Sequence, residues 1–149
     1  MKNVPIEELL SHRGKMLLID KVISFDEQSL TSQVIVRNDS MFDNGVTVPA
    51  WLGMEYMAQT IGAYQGMMDK IANRSIQVGF LLGTRRYTCD VSHFNVGEVL
   101  TIHVKRIMED QGLGVFKCQI LNPNVLVEAN INVYQPNSIR NSTSITEES

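Results

Sequence analysis

Glu55 is the residue whose neighbours ask for a chemical explanation. It stands in the run Trp51-Leu52-Gly53-Met54-Glu55-Tyr56-Met57-Ala58. A carboxylate among such side chains has to be paired, neutralised or used. If the segment is a helix, Gln59 shares its face four residues on. At a helix start the macrodipole favours a charged carboxylate and burial favours the neutral acid. That opposition suits a general acid–base working near neutrality. The plainer alternative is that Glu55 favours the helix start and reaches water, and spacing alone leaves both readings open. Three histidines are present, His12, His93 and His103. His93 in a turn and His103 on the polar side of a strand read as surface residues. His12 adjoins the apolar run 16–19, where a satisfied structural role is the ordinary outcome. There is no His-x-x-x-His, His-Glu-x-x-His or Cys-x-x-Cys spacing, so no metal site is expected. Nor is there a Gly-x-Ser-x-Gly elbow or a phosphate-cradling glycine loop. Arg85-Arg86 is the one adjacent arginine pair. It suits either a phosphate contact or a solvated strand face.

The elements that must place these residues follow from periodicity. Residues 5–10 predict a short helix, with proline early and two glutamates in its first turn. Residues 16–25 and 30–36 read as strands joined by a turn at 26–29. Residues 38–49 read as a loop, with Pro49 opening a helix over 50–72. Apolar residues fall on more than one face of that helix, so it is expected to be buried nearly all round, its methionines serving as core. Gly53, Gly62 and Gly66 cost about 1 kcal/mol each in helix propensity. They make sense where another backbone comes close. Strands are expected at 76–89, 99–108, 113–121 and 126–134, with turns at 92–97, 111–112 and 122–124. Gly79 and Gly83 suggest a bend or a close approach in the first of these. Hairpin-length connections imply an antiparallel sheet. One such sheet and one apolar helix have a simple solution, in which the sheet curls around the helix. A helix end and a sheet edge then stay uncovered, so dimerisation is expected.

Composition narrows the function classes. The chain has 149 residues, 44% hydrophobic, which fits one domain; residues 1–136 are taken as that domain and 137–149 as a disordered tail. Net charge is −3 and no basic tract exists, so a phosphate-neutralising nucleic-acid face is a poor fit. The apolar runs 16–19, 79–83 and 125–127 are far short of the roughly 20 residues of a membrane span. The N-terminal residues 1–8 are polar and do not read as a signal peptide. Cys89 and Cys118 read as two buried, reduced thiols of a cytoplasmic protein.

Several segments together resemble the hotdog-fold 3-hydroxyacyl-ACP dehydratases. Ser11-His12-Arg13-Gly14-Lys15-Met16-Leu17-Leu18-Ile19-Asp20-Lys21-Val22 is similar to that family's opening motif, and Glu55-Tyr56-Met57-Ala58-Gln59 to its Glu-Ala-Met-Ala-Gln helix motif. Val96-Gly97-Glu98 falls at its Val-x-Pro-Gly-Asp turn. More narrowly, Val48-Pro49-Ala50-Trp51-Leu52-Gly53-Met54-Glu55-Tyr56-Met57-Ala58-Gln59 and Gly79-Phe80-Leu81-Leu82-Gly83-Thr84-Arg85-Arg86-Tyr87 resemble the ApeP-type dehydratases of aryl polyene pigment clusters. The resemblance implies an α+β hotdog fold, a curled antiparallel sheet wrapped around one long central helix. It implies a dimer formed through sheet edges, as homodimer or as heterodimer with another hotdog subunit. It implies loss of water from a 3-hydroxyacyl chain carried on acyl carrier protein, without a cofactor, to give the 2-enoyl thioester. Glu55 takes the acidic position. Gln59, Trp51, Gly83, Arg85 and Arg86 fall among the expected substrate-binding positions, the arginines toward the carrier's arm. N–H groups at the helix start are expected to receive the thioester oxygen.

One departure matters. The broad family carries a catalytic histidine in the loop before the helix, and residues 38–49 hold none. Three readings follow: His12 serves with Glu55, Glu55 works alone, or the chain is a diminished subunit that supports an active dehydratase or ketosynthase. A hotdog acyl thioesterase, with Glu55 activating water, is the rival enzyme.

Overall fold

The computed structural model of the chain describes residues 17–37, 47–75 and 79–135. Alternation builds the sheet. In β2 (Ser29–Ile35), Leu30, Ser32 and Val34 are buried while Thr31 and Gln33 are half-exposed. β6 (Val99–Asp110), β7 (Leu113–Leu121) and β8 (Val125–Tyr134) repeat the pattern. Period two sends one set of side chains to one face, and that face meets the helix. With β1 (Lys21–Phe25) and β4 (Phe80–Cys89) they form one antiparallel six-stranded sheet, ordered β1-β2-β6-β7-β8-β4. The turns are chemically specified. Asp26 accepts from the N–H groups of Gln28 and Ser29 at 2.8 and 2.9 Å and from the Ser29 hydroxyl at 3.0 Å. These donors, the Gln28 N–H foremost, hold its carboxyl below the ordinary value. Gln111 and Gly112 both have positive φ, the primed hairpin geometry that matches strand twist.

α1 (Leu52–Ile71) packs on the inner face of the curled sheet. Leu52, Tyr56, Met57, Ile61, Tyr64 and Met67 meet Leu30, Leu100, Ile102, Phe116 and Ile120 in one core. Gly53 allows a close approach, since a Cβ there would lie 2.9 Å from the Ile120 terminal methyl. Ser32 and Thr60 meet at 2.8 Å in this core. The Thr60 hydroxyl donates to the Tyr56 carbonyl at 2.8 Å, so Ser32 is the donor between the two. The architecture is the hotdog: one long helix held by a curled antiparallel sheet.

Several expectations are corrected. The helix is not covered all round, because Met54, Glu55, Ala58, Gly62, Gln65 and Met68 form a half-exposed stripe along it. The first strand begins at Lys21; residues 17–20 form a strap whose Leu17, Leu18 and Ile19 are buried. β3 (Thr47–Pro49) lies within the expected loop and pairs with β5 (His93–Asn95) within the expected turn. Two three-residue strands so far apart in sequence give no local signal. Pro49 therefore ends a strand, where its missing N–H is tolerated, and Trp51 caps the helix without a side-chain hydrogen bond. Gly83 meets no close neighbour: a Cβ there would find nothing within 4 Å. Cys118 is buried as expected but Cys89 is only half-buried, and both are free thiols. The expected helix at 5–10, residues 38–46 of the loop and the tail at 137–149 lie outside the described residues. Among the described residues no helix is long and apolar enough to cross a membrane.

Candidate active site

Glu55 occupies the first turn of α1, on its half-exposed stripe, so the burial that its apolar neighbours suggest is only partial. One turn on, Gln59 is 1% exposed. Its Nε2 donates to Glu55 Oε2 at 3.0 Å, and its Oε1 accepts the Leu18 N–H at 2.8 Å. The helix brings the two side chains to one face, and the strap selects the orientation of the amide. An N–H can only donate, so the oxygen of Gln59 must face Leu18 and its NH2 must face Glu55.

An open groove of about 400 Å³ is lined by Ala50, Trp51, Met54, Thr84, Tyr87 and Cys89; Met54 precedes Glu55 in the chain, and neither Glu55 nor Gln59 is itself a lining residue. Trp51 is 56% exposed at its rim. The Thr84 hydroxyl faces Met54 Sδ at 3.6 Å across the gap between strand and helix. Burial, and then the neighbouring Cys89 thiol, push the Tyr87 phenol up to about 12, so it stays a neutral donor at ordinary pH. Gly83 precedes Thr84 on β4, and Arg85 and Arg86 follow it with exposed side chains. Arg86 has φ 55° within a bulge between Arg85 and Thr88. The sequence did not single out Met54, Thr84, Tyr87 or Cys89 as lining residues. Strand parity would have separated Thr84 from Tyr87, and only the bulge joins them.

The other expected participants are not all brought here. His12 lies outside the described residues. His93 is exposed and within 2.9 Å of the Ser92 hydroxyl. His103 is half-buried and meets Thr31 at 2.8 Å across the β2–β6 pair. Neither is among the groove-lining residues. The N–H groups of Gly53 and Met54 turn back to the Ala50 and Trp51 carbonyls at 2.8 and 3.1 Å. Those two donors are therefore already engaged, against the expectation that the first turn offers them to a thioester oxygen.

No curated protein matches the chain. Among solved structures it is similar to a chain of the dehydratase heterocomplex ApeI:P from Xenorhabdus doucetiae, at 34% identity and TM-score 0.84, covering 95% of this chain and 97% of that one. A hypothetical thioesterase from Streptococcus pneumoniae TIGR4, solved with coenzyme A, shares the fold at 13% identity and TM-score 0.60, over 77% of this chain and 84% of that one. The PaaI protein of E. coli shares it at 13% identity and TM-score 0.57, over 76% and 80%. The family model for ApeP-like proteins, described as ApeP dehydratase, matches residues 4–145. A match over nearly the whole chain, with the 34% identical chain superposing over its length, decides the matter: this protein belongs to the ApeP-like dehydratase family.

Proposed function

We propose that the chain dehydrates 3-hydroxyacyl thioesters carried on acyl carrier protein, in aryl polyene-type pigment assembly in the cytoplasm. The observation that carries this reading is a carboxylate oriented by a buried amide, one residue on from the groove-lining Met54, in a dehydratase-family chain. A base takes the C2 proton, the C2–C3 double bond forms, and the C3–O bond breaks as Glu55 protonates the departing hydroxyl; water leaves. Glu55 does the second step with His12 as the base, or serves both steps in turn. Trp51 and Tyr87 flank the acyl chain in the groove, and Gly83, next to Thr84 on β4, leaves open space on the other side of the strand. Arg85 and Arg86 meet the phosphate of the carrier's arm as charge-assisted donors.

A second hotdog subunit is proposed as the partner. β4 ends the six-stranded sheet, and Leu81 and Leu82 on it are 50% and 59% exposed. The half-exposed helix stripe and the groove adjoin that edge. The similar Xenorhabdus chain belongs to a heterocomplex.

Mass spectrometry of acyl carrier protein loaded with 3-hydroxyacyl chains tests this, with the chain alone and mixed with a partner hotdog subunit. Loss of water from the acyl chain, abolished in Glu55→Ala, is the expected result. Release of free thiol would replace the reading with a thioesterase. Dehydration by the mixture that survives Glu55→Ala would make this chain a supporting subunit.

A further inference from the structure

The hydrogen bonds that end on Glu55 begin at a cation on the far side of the strap. Arg37 Nη2 donates to the Leu17 carbonyl at 2.6 Å. That carbonyl belongs to the same peptide unit as the Leu18 N–H, which donates to Gln59 Oε1 at 2.8 Å. Gln59 Nε2 then donates to Glu55 Oε2 at 3.0 Å. A trans peptide is planar, with its C=O and N–H pointing opposite ways, so a group held at one end fixes the direction of the other. Every donor in the series points from the guanidinium toward the carboxylate. Bonds aligned in this way polarise one another, most of all out of water. Leu17, Leu18 and Gln59 are buried, whereas the Arg37 side chain is 32% exposed.

Arg37 is itself held by a second prong. Its Nη1 lies 3.3 Å from Asp20 Oδ1, and Asp20 Oδ2 accepts the Ile35 N–H at 2.6 Å. The fork thus clamps both ends of the strap, residues 17 and 20, to the end of β2. It fixes the direction of the Leu17 carbonyl and, through the planar peptide, of the Leu18 N–H that meets Gln59.

We propose that Arg37 is a positioning residue for Glu55, acting through the Leu17–Leu18 peptide and Gln59. The proposal rests on Glu55 being the acid–base group. A small misplacement caused far from the chemistry can lower turnover by up to about a hundredfold.

The test uses the full chain, in the assembly that shows turnover, as Arg37→Met and Arg37→Lys beside Glu55→Gln. Two quantities are read: kcat and KM for the tethered 3-hydroxyacyl chain, and the side-chain NH2 signal of Gln59 by ¹H–¹⁵N NMR, assigned by its loss in Gln59→Met. Arg37→Met is expected to lower kcat by roughly tenfold or more with KM and the thermal midpoint little changed, and to move the Gln59 signal. Arg37→Lys is expected to recover part of both. An unchanged kcat in an active assembly overturns the proposal, and so does an unmoved Gln59 signal or a loss that merely tracks the unfolded fraction. Should Arg37→Met not fold, Arg37→Lys carries the same readouts. If the wild-type assembly shows no turnover, the acid–base reading of Glu55 falls instead. The Gln59 signal then decides by itself whether Arg37 orients the amide.

Discussion

Thr84 and Tyr87 stand three residues apart on β4 yet line one groove. In a regular strand their side chains would point to opposite faces. The bulge between Arg85 and Thr88 places two residues of β4, Arg86 and Tyr87, against Ala129 alone, and Arg86 takes φ 55° to make the turn. That extra residue resets the parity, so Thr84, Tyr87 and Cys89 share a side. A left-handed conformation costs an L-residue roughly 1–2 kcal/mol. Arg86→Gly is therefore expected to leave stability unchanged or raise it by up to ~1 kcal/mol, with the groove kept. Arg86→Val, β-branched at positive φ, is expected to lose about 1–2 kcal/mol. Chemical denaturation of the two variants checks the difference; equal stabilities would argue against a strained bulge.

Glu55→Gln keeps the size of the side chain and removes its proton chemistry. For a general acid–base group the expected loss in kcat is about 10²–10⁴-fold. The thermal midpoint should change little, since the group is only half-buried. Steady-state dehydration measured with carrier-bound substrate reads both parameters, and full activity in the variant would remove Glu55 from the chemistry.

The Ser32–Thr60 contact joins the sheet to the helix within the buried core. Thr60→Val leaves the Ser32 hydroxyl buried without its acceptor, at an expected cost of about 1–3 kcal/mol. Ser32→Ala removes a donor and leaves Thr60 still bonded to the Tyr56 carbonyl, a smaller loss. The double variant should be more stable than the two single costs together imply. A denaturation cycle over the four proteins measures that coupling, and strict additivity would show that the two hydroxyls act independently.

Asp26 makes a pH-dependent contribution of known sign. Its carboxyl is held below the ordinary value of 3.8 by the Gln28 and Ser29 donors. A depressed folded value means that the charged form stabilises the fold. The contribution is present above the unfolded value and is lost as pH falls through the lower, folded one. Asp26→Ala is expected to melt below wild type near neutrality, and the gap should close as the medium is acidified past that window. Thermal melts across the acid range check it. A gap that persists in strong acid would mean that the neutral side chain stabilises the turn as well as the charged one. The group is exposed, so the effect is small.

Much of this architecture was legible in the chain. Leu100, Ile102 and Val104 alternate with polar residues, and Gln111-Gly112 marks its hairpin, because period and turn chemistry are local properties. Glu55 and Gln59 were legible as a pair, since a helix puts residues four apart on one face. The resemblance added the family, which the comparisons bear out. Other features had no local signal. β3 and β5 are three residues each and stabilise one another only when brought together. The bulge at Arg86 overrides the parity rule by which a strand is read. The open stripe on the helix hides in the sequence, because Met54, Ala58 and Met68 are as apolar as their buried neighbours.

The main strands, the long helix, their antiparallel pairing and a carboxylate with an amide one turn away could all be read along the chain. Periodicity, capping and turn residues act over a few positions and are written in order along the chain. Which way the Gln59 amide points follows from the folded chain alone, because it depends on a backbone N–H at Leu18, 41 residues distant. The tertiary structure also decided that Arg37 grips the other end of the same peptide, and that Thr84 and Tyr87 face one groove. Hydrogen bonds and bulges between distant segments depend on register and direction in space, which composition and spacing do not encode.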